Sequence, residues 1–157
     1  MLTMRQKNRP NNFHYLLHSA ALIEKSLATK LAPLGLGPRQ ARVIDALDRM
    51  GPSSQVNLAR ECGITAASMS TMTSRLITAG YINCVTDAVE ARRNTLSLSS
   101  RGLDLLNDIK KTWNEVDDDI KKLIGAEKTK SLTNLARELR NELGGNTPGA
   151  NQQQKTK

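Results

Sequence analysis

Aromatic residues are nearly absent from this chain. One Trp, two Tyr and one Phe are spread over 157 residues, so Leu, Ile, Val, Met and Ala must build whatever core exists. Cysteine is scarce too. Cys62 and Cys84 make no disulfide framework in a chain of this size, and no CxxC pairing marks a structural zinc site. No apolar run approaches the roughly 18 residues a membrane span needs. The start MLTMRQKNRPNN has no signal-peptide apolar core. A soluble, reducing, cytoplasmic setting with no membrane partner is the simplest expectation. No nucleophile–base pairing, Gly-rich phosphate loop or metal motif is present either. That argues against an enzyme and assigns no catalytic residue, no metal and no resident cofactor.

Basic charge is what the chain has in excess. Its net charge of +8 and pI near 9.8 favour a polyanionic partner. The distribution tempers the point. Residues 1–37 carry five basic and one acidic residue, 38–100 seven and five, and 101–157 eleven and nine. Half the excess therefore lies in the first 37 residues, and charge alone argues weakly for where a polyanion would bind.

Periodicity divides the chain. Residues 1–12 read as a flexible basic arm. From Phe13, apolar residues recur at three and four through Leu16, Leu17, Ala20, Leu27 and Leu31, which predicts a one-sided helix to about Leu34. LGLGP stops it, and Pro38 suits the first turn of a second helix running to Met50, with Ala41, Val43 or Ile44, and Leu47 inward. Ser53 or Ser54 can cap a third helix, Gln55 to Cys62, with Val56, Leu58, Ala59 and Cys62 toward the core. Gly63 turns the chain into a fourth helix, capped by Thr65 and running to Ala79. Residues 81–86 and 95–98 alternate as two strands around a turn. Ser99 or Ser100 caps a long fifth helix with a stripe of Leu103, Leu106, Ile109, Trp113, Val116, Ile120 and Leu123. A sixth, about Glu127 to Leu143, presents Leu132, Leu135, Leu139 and Leu143. Residues 144–157 form a Gly/Pro/Gln tail with too little apolar material to fold.

Two short helices around a Gly turn, then a two-stranded finger, describe a helix-turn-helix with a wing. Such a surface fits adjacent grooves of duplex DNA. The fold class expected is mainly α, an α+β winged helix: a DNA-binding lobe over 38–100 and a dimerisation domain built from helices in 13–37 and 101–143. The terminal helices have apolar stripes too numerous for one lobe to cover, which predicts a homodimer.

LGLGPRQARVIDAL, LARECGITAASMSTMTSRLITAGYI and EARRNTLSLSSRG together resemble the MarR family of winged-helix regulators, over about Phe13 to Leu143. The family pattern Asp-x-Arg-x-x-x-Leu-x-Leu-Thr-x-x-Gly stands here as Glu90, Arg92, Leu96, Leu98, Ser99 and Gly102. Glu for Asp and Ser for Thr are mild departures. Cys84, where the family usually has a basic residue leading into the wing, is not. The resemblance implies that Arg92 enters the minor groove, Arg93 and Asn94 touch phosphate, and Glu90 supports Arg92 by an ion pair. It also implies that small phenolic or other apolar anions can act as effectors, spreading the two lobes.

The fourth helix is expected to turn Met69, Met72, Leu76 and Ala79 inward and Ala66, Ala67, Ser68, Ser70, Thr71 and Ser74 outward. Arg75 is its only long side chain for base readout. Hydroxyls and methyls read bases modestly, so groove shape would carry much of the preference. Ser54 and Gln55 are candidate phosphate contacts, with Arg39 and Gln40 as further ones. His14 and His18, four apart, have a metal-like spacing but no third ligand nearby, and are read as a helix-surface pair. Cys62 is read as a small core residue and Cys84 as the better redox candidate. Asp117, Asp118 and Asp119 point apart on a helix and are read as a solvated face. The expectation is a double-stranded-DNA-binding regulator, a homodimeric repressor on a pseudo-palindromic operator that a small molecule can relieve. The alternatives are an effector-independent, anti-silencing activator and a winged helix used for protein contact.

Overall fold

A computed structural model of the chain describes residues 10–86 and 94–145. The tail beyond residue 145, most of the basic arm, and Glu90, Arg92 and Arg93 of the wing lie outside the described residues.

Helix α1 spans Asn12–Leu31 and is followed by a single 3-10 turn, Ala32–Leu34, that carries Pro33. The helix thus ends three residues earlier than its periodicity predicts. Proline has no N–H to continue the ladder, and the chain tightens instead. Helix α2 is Pro38–Met50, with proline in the first turn and the Gln40 side chain accepting the Gly37 N–H at 2.9 Å. Strand β1 is only Ser53–Ser54, and α3 follows as Gln55–Cys62 with Ser54 as its cap. Gly63, at φ +65°, supplies the left-handed step between α3 and α4 that a side chain would strain. Helix α4 is Ala66–Thr78, β2 is Ile82–Thr86 and β3 is Asn94–Leu98. Helix α5, Ser100–Ile124, and helix α6, Ala126–Glu142, complete the described chain.

The wing sheet has three strands in the order β1-β3-β2, all antiparallel. Sequence patterning found two of them. Ser53 and Ser54 pair with Leu96 and Thr95, and two serines have no strand signature of their own. Their ladder exists because the helix-turn-helix carries them beside β3.

One core joins the helices to the sheet. Leu31, Val43, Ile44, Leu47, Leu58, Met69, Leu76, Ile82, Leu96 and Ile109 are all buried to within 2%. Each such side chain contributes about 1.5–3 kcal/mol from removing apolar surface from water. Both alternatives on α2, Val43 and Ile44, are inside. Several inward assignments are corrected. Val56 is 62% exposed and Ala79 is exposed, while Thr73 is buried in their stead. On α5 the buried face is Leu105, Leu106, Ile109, Thr112 and Val116, whereas Leu103 and Leu123 lie outside. That rotates the predicted stripe by about one residue. The first turn of α5 is fixed by its junction with β2 rather than by its own apolar average.

Helix α1 packs along α5, and α6 follows α5. Lys30 of α1 reaches Asp119 at 3.1 Å and Glu115 at 3.5 Å on α5. Asp119 is therefore an inter-helix partner, not a merely solvated carboxylate. The amine and the carboxylate hold each other charged: hydrogen bonding to Asp119 raises the Lys30 pKa, and the same contact lowers that of Asp119.

Candidate nucleic-acid interface

Helix α4 starts at a hydroxyl cap. Thr65 Oγ1 accepts the Ser68 N–H at 3.1 Å and donates to Ser68 Oγ at 3.0 Å. From that start the helix divides cleanly. Met69, Thr73 and Leu76 are buried and Met72 and Ile77 half-buried. Ala66, Ala67, Ser68, Ser70, Thr71, Ser74 and Arg75 are all exposed. The outward face consists of short side chains and one guanidinium, which lets the helix axis approach another surface closely.

Thr73 explains how that face is held. Its hydroxyl donates back to the Met69 carbonyl at 2.9 Å and lies 3.4 Å from Gln55 Oε1. A buried hydroxyl satisfied in this way costs little, and it ties α4 to the start of α3. Gln55 is accordingly half-buried and engaged within the lobe. Ser54 uses its hydroxyl to cap Asn57 N–H at 3.2 Å. Both stand at the start of α3, but their side chains already have work inside the lobe. Arg49 fastens α2 to α3 by reaching Asp45 at 2.9 Å and Glu61 at 3.1 Å.

At the root of the wing, exposed Asn94 begins β3, and its Oδ1 accepts from Thr86 Oγ1 at 3.0 Å. Arg101 lies over the Tyr81 ring, 5.2 Å from its centroid. Behind the wing the chain is locked. Ser99 Oγ donates to the Gly80 carbonyl at 2.7 Å and accepts the Gly102 N–H at 3.0 Å, while Ser99 N–H donates to the Tyr81 carbonyl at 3.0 Å. A Cβ on Gly102 would overlap that Tyr81 carbonyl. Ser99 and Gly102 of the motif are thus joints that set the wing against α5.

The other candidates separate. His14 and His18 are exposed on α1, and His14 stacks against Phe13 with ring centroids 4.1 Å apart. Among the described residues no group of three or more His, Cys, Asp or Glu could hold a metal ion. Cys84 is exposed on β2; Cys62 is half-buried, and burial pushes its pKa up. No helix among the described residues is long and apolar enough to cross a membrane. Sequence reading passed over Arg42. It lies one turn from Arg39 on the exposed side of α2, and that spacing was its only signal. Gln40, a candidate beside Arg39, spends its side chain on the Gly37 N–H instead.

Residues 34–93 match the family model described as the MarR family. No curated protein matches the sequence. Among solved structures, the transcriptional regulator PA4135 is 25% identical, covering 85% of this chain and 98% of that one, with a TM-score of 0.69. A MarR mutant from E. coli complexed with operator DNA is 16% identical, covers 82% of this chain and 94% of its own, and has a TM-score of 0.71. A Mycobacterium tuberculosis MarR-family protein complexed with salicylic acid is 20% identical, covering 84% and 98%, with a TM-score of 0.67.

Proposed function

Because residues 34–93 make this chain a MarR-family winged-helix protein, we propose that it is a transcriptional regulator that binds double-stranded DNA as a homodimer. The observation that carries the reading is the exposed face of α4, seven residues of which six are small and one is Arg75. Such a face enters a major groove, where hydroxyls and methyls meet base edges, while Arg92 and Arg93 reach the flanking minor groove and backbone. The role is binding in the cytoplasm, with no chemical turnover. The operator-bound E. coli relative supports the DNA partner.

Two-fold pairing is supported by the apolar side chains that one subunit leaves in water. Phe13, Leu16, Leu17 and Leu22 on α1 and Leu132, Leu135 and Leu139 on α6 are each 46% exposed or more. Covering them in a second copy would place two α4 helices about one turn of DNA apart, on a pseudo-palindromic operator. Repression follows if that site overlaps a promoter. The salicylate-bound relative supports a small aromatic acid as the effector. Such a ligand would weaken operator binding by preferring another spacing of the lobes.

The test is duplex binding by mobility shift, with an inverted-repeat fragment selected from the chain's own genomic sites against a scrambled one. Arg75→Ala and Arg92→Ala should each lose about 1–3 kcal/mol on the selected duplex. Unchanged affinity in both variants would point instead to a winged helix used for protein contact.

A further inference from the structure

A concave site of about 390 Å³ lies between the first turns of α2 and the elbow of the helix-turn-helix. Val43 and Ile64 floor it, Arg39 and Arg42 stand along one rim, and Thr65 and Ser68 of the α4 start form the other. The two arginines are exposed and one helical turn apart. Among the described residues neither has a carboxylate within 4.0 Å, in contrast to Arg49, which is held between Asp45 and Glu61. Across the site, Ser68 N–H is satisfied by Thr65 Oγ1. The N–H groups of Ala66 and Ala67, in the first turn, have no intrahelical acceptor and face outward with the positive end of α4. Two unneutralised guanidiniums thus face the positive end of a helix across an open hollow, which is a place built for an anion.

We propose that Arg39 and Arg42, with the first turn of α4, clamp a backbone phosphodiester of duplex DNA. The proposal rests on the DNA-binding reading above and adds to it how α4 is seated. A phosphodiester is favoured over a free small anion by position. Both guanidiniums are at the rim, on the same side as the exposed start of α4, so a strand whose groove receives α4 passes this hollow. The lobe also needs such contacts, since Arg75 is the only cation α4 itself brings. The clamp reads no base. It sets how deeply and at what register α4 enters the groove.

Arg39→Gln, Arg42→Gln and the double variant test it in the full-length protein. Affinity for the selected and the scrambled duplex is measured by fluorescence anisotropy from about 50 to 200 mM salt. Each substitution, present in both subunits, should reduce the slope of log affinity against log salt by about 1.8, from about 0.9 per lost phosphate contact. The ratio of selected to scrambled affinity should stay the same. Slopes equal to wild type, in variants with unchanged melting temperature and mass, overturn the clamp, and so does a shift in the ratio, which would mark base readout. A free-anion site gives another overturning pattern: inorganic phosphate at constant ionic strength stabilises wild type but not the double variant against heat, while the duplex slopes are unchanged. Wild-type protein that binds neither duplex defeats the DNA reading itself, and the clamp with it.

Discussion

The Ser99 hydroxyl donates to the Gly80 carbonyl at 2.7 Å, joining the residue that begins α5 to the glycine that ends the recognition helix. The same oxygen accepts from Gly102, whose own Cα leaves no room for a side chain against Tyr81. One small junction therefore fixes three parts relative to one another: α4, the root of the wing and the long helix that leads away from the lobe. Gly102→Ala should destabilise the fold by about 1–3 kcal/mol, because backbone must move to admit the methyl. Ser99→Ala should cost about 1–2 kcal/mol, from a lost cap and a carbonyl left short of its donor. Urea unfolding measures both. Losses under about 0.5 kcal/mol in both variants would mean that the junction is slack.

Acid should loosen α1 from α5. Asp119 titrates below the ordinary aspartate range because of its hydrogen bond to Lys30. A carboxylate with a depressed folded pKa stabilises the fold above its unfolded pKa, and the benefit fades as pH falls through the folded value, below about pH 4. Lys30 has the opposite sign: its raised pKa stabilises at neutral pH and is lost only on strongly alkaline titration. Lys30→Met should flatten the acid limb of a stability–pH curve and leave the limb between about pH 5 and 8 parallel to wild type. An identical acid limb would show that this contact does not form in solution.

The two thiols should differ in reactivity. Cys84 is exposed on β2, whereas Cys62 is half-buried with its pKa pushed up by burial. Iodoacetamide at pH 8 should alkylate Cys84 first and Cys62 several-fold more slowly, as peptide mass mapping would record. Equal rates would mean that the elbow around Cys62 opens readily.

Charge placed on the exposed apolar faces should separate the subunits. Leu16→Asp together with Leu135→Asp alters two residues that are 52% and 63% exposed in one copy, so neither change should unfold the lobe. Light scattering should report a dimeric mass for wild type and a single-chain mass for the variant, with duplex affinity falling as the two half-sites are read separately. A single-chain mass for wild type would remove the homodimer from the functional reading.

Sequence legibility followed the reach of each interaction. Helices α2 and α3 were read to the residue, because proline, serine and glycine at their ends act on backbone one to three positions away. The exposed face of α4 was legible for the same reason: alternation within one helix needs no distant partner. Strand β1 was not legible, since its pairing with Leu96 and Thr95 joins residues more than forty positions apart. Thr73 was missed because a threonine inside a helix carries no sign of whether its hydroxyl is buried. The elbow hollow was half-missed: Arg39 was noticed and Arg42 was not, as only folding brings α2 beside the start of α4.

By itself the order of residues settled where helices start and stop, and which flank of each is greasy. It also settled that a Gly-linked pair of helices precedes a basic finger, because caps, turns and periodicity are local properties of the backbone. Folding alone decided which flank of α5 meets the sheet, that Asp119 answers Lys30 and that Gly102 must have no side chain. It alone decided, too, that two arginines of one helix overlook the start of another. Those are contacts between distant segments, and their energy depends on distances that no linear spacing records.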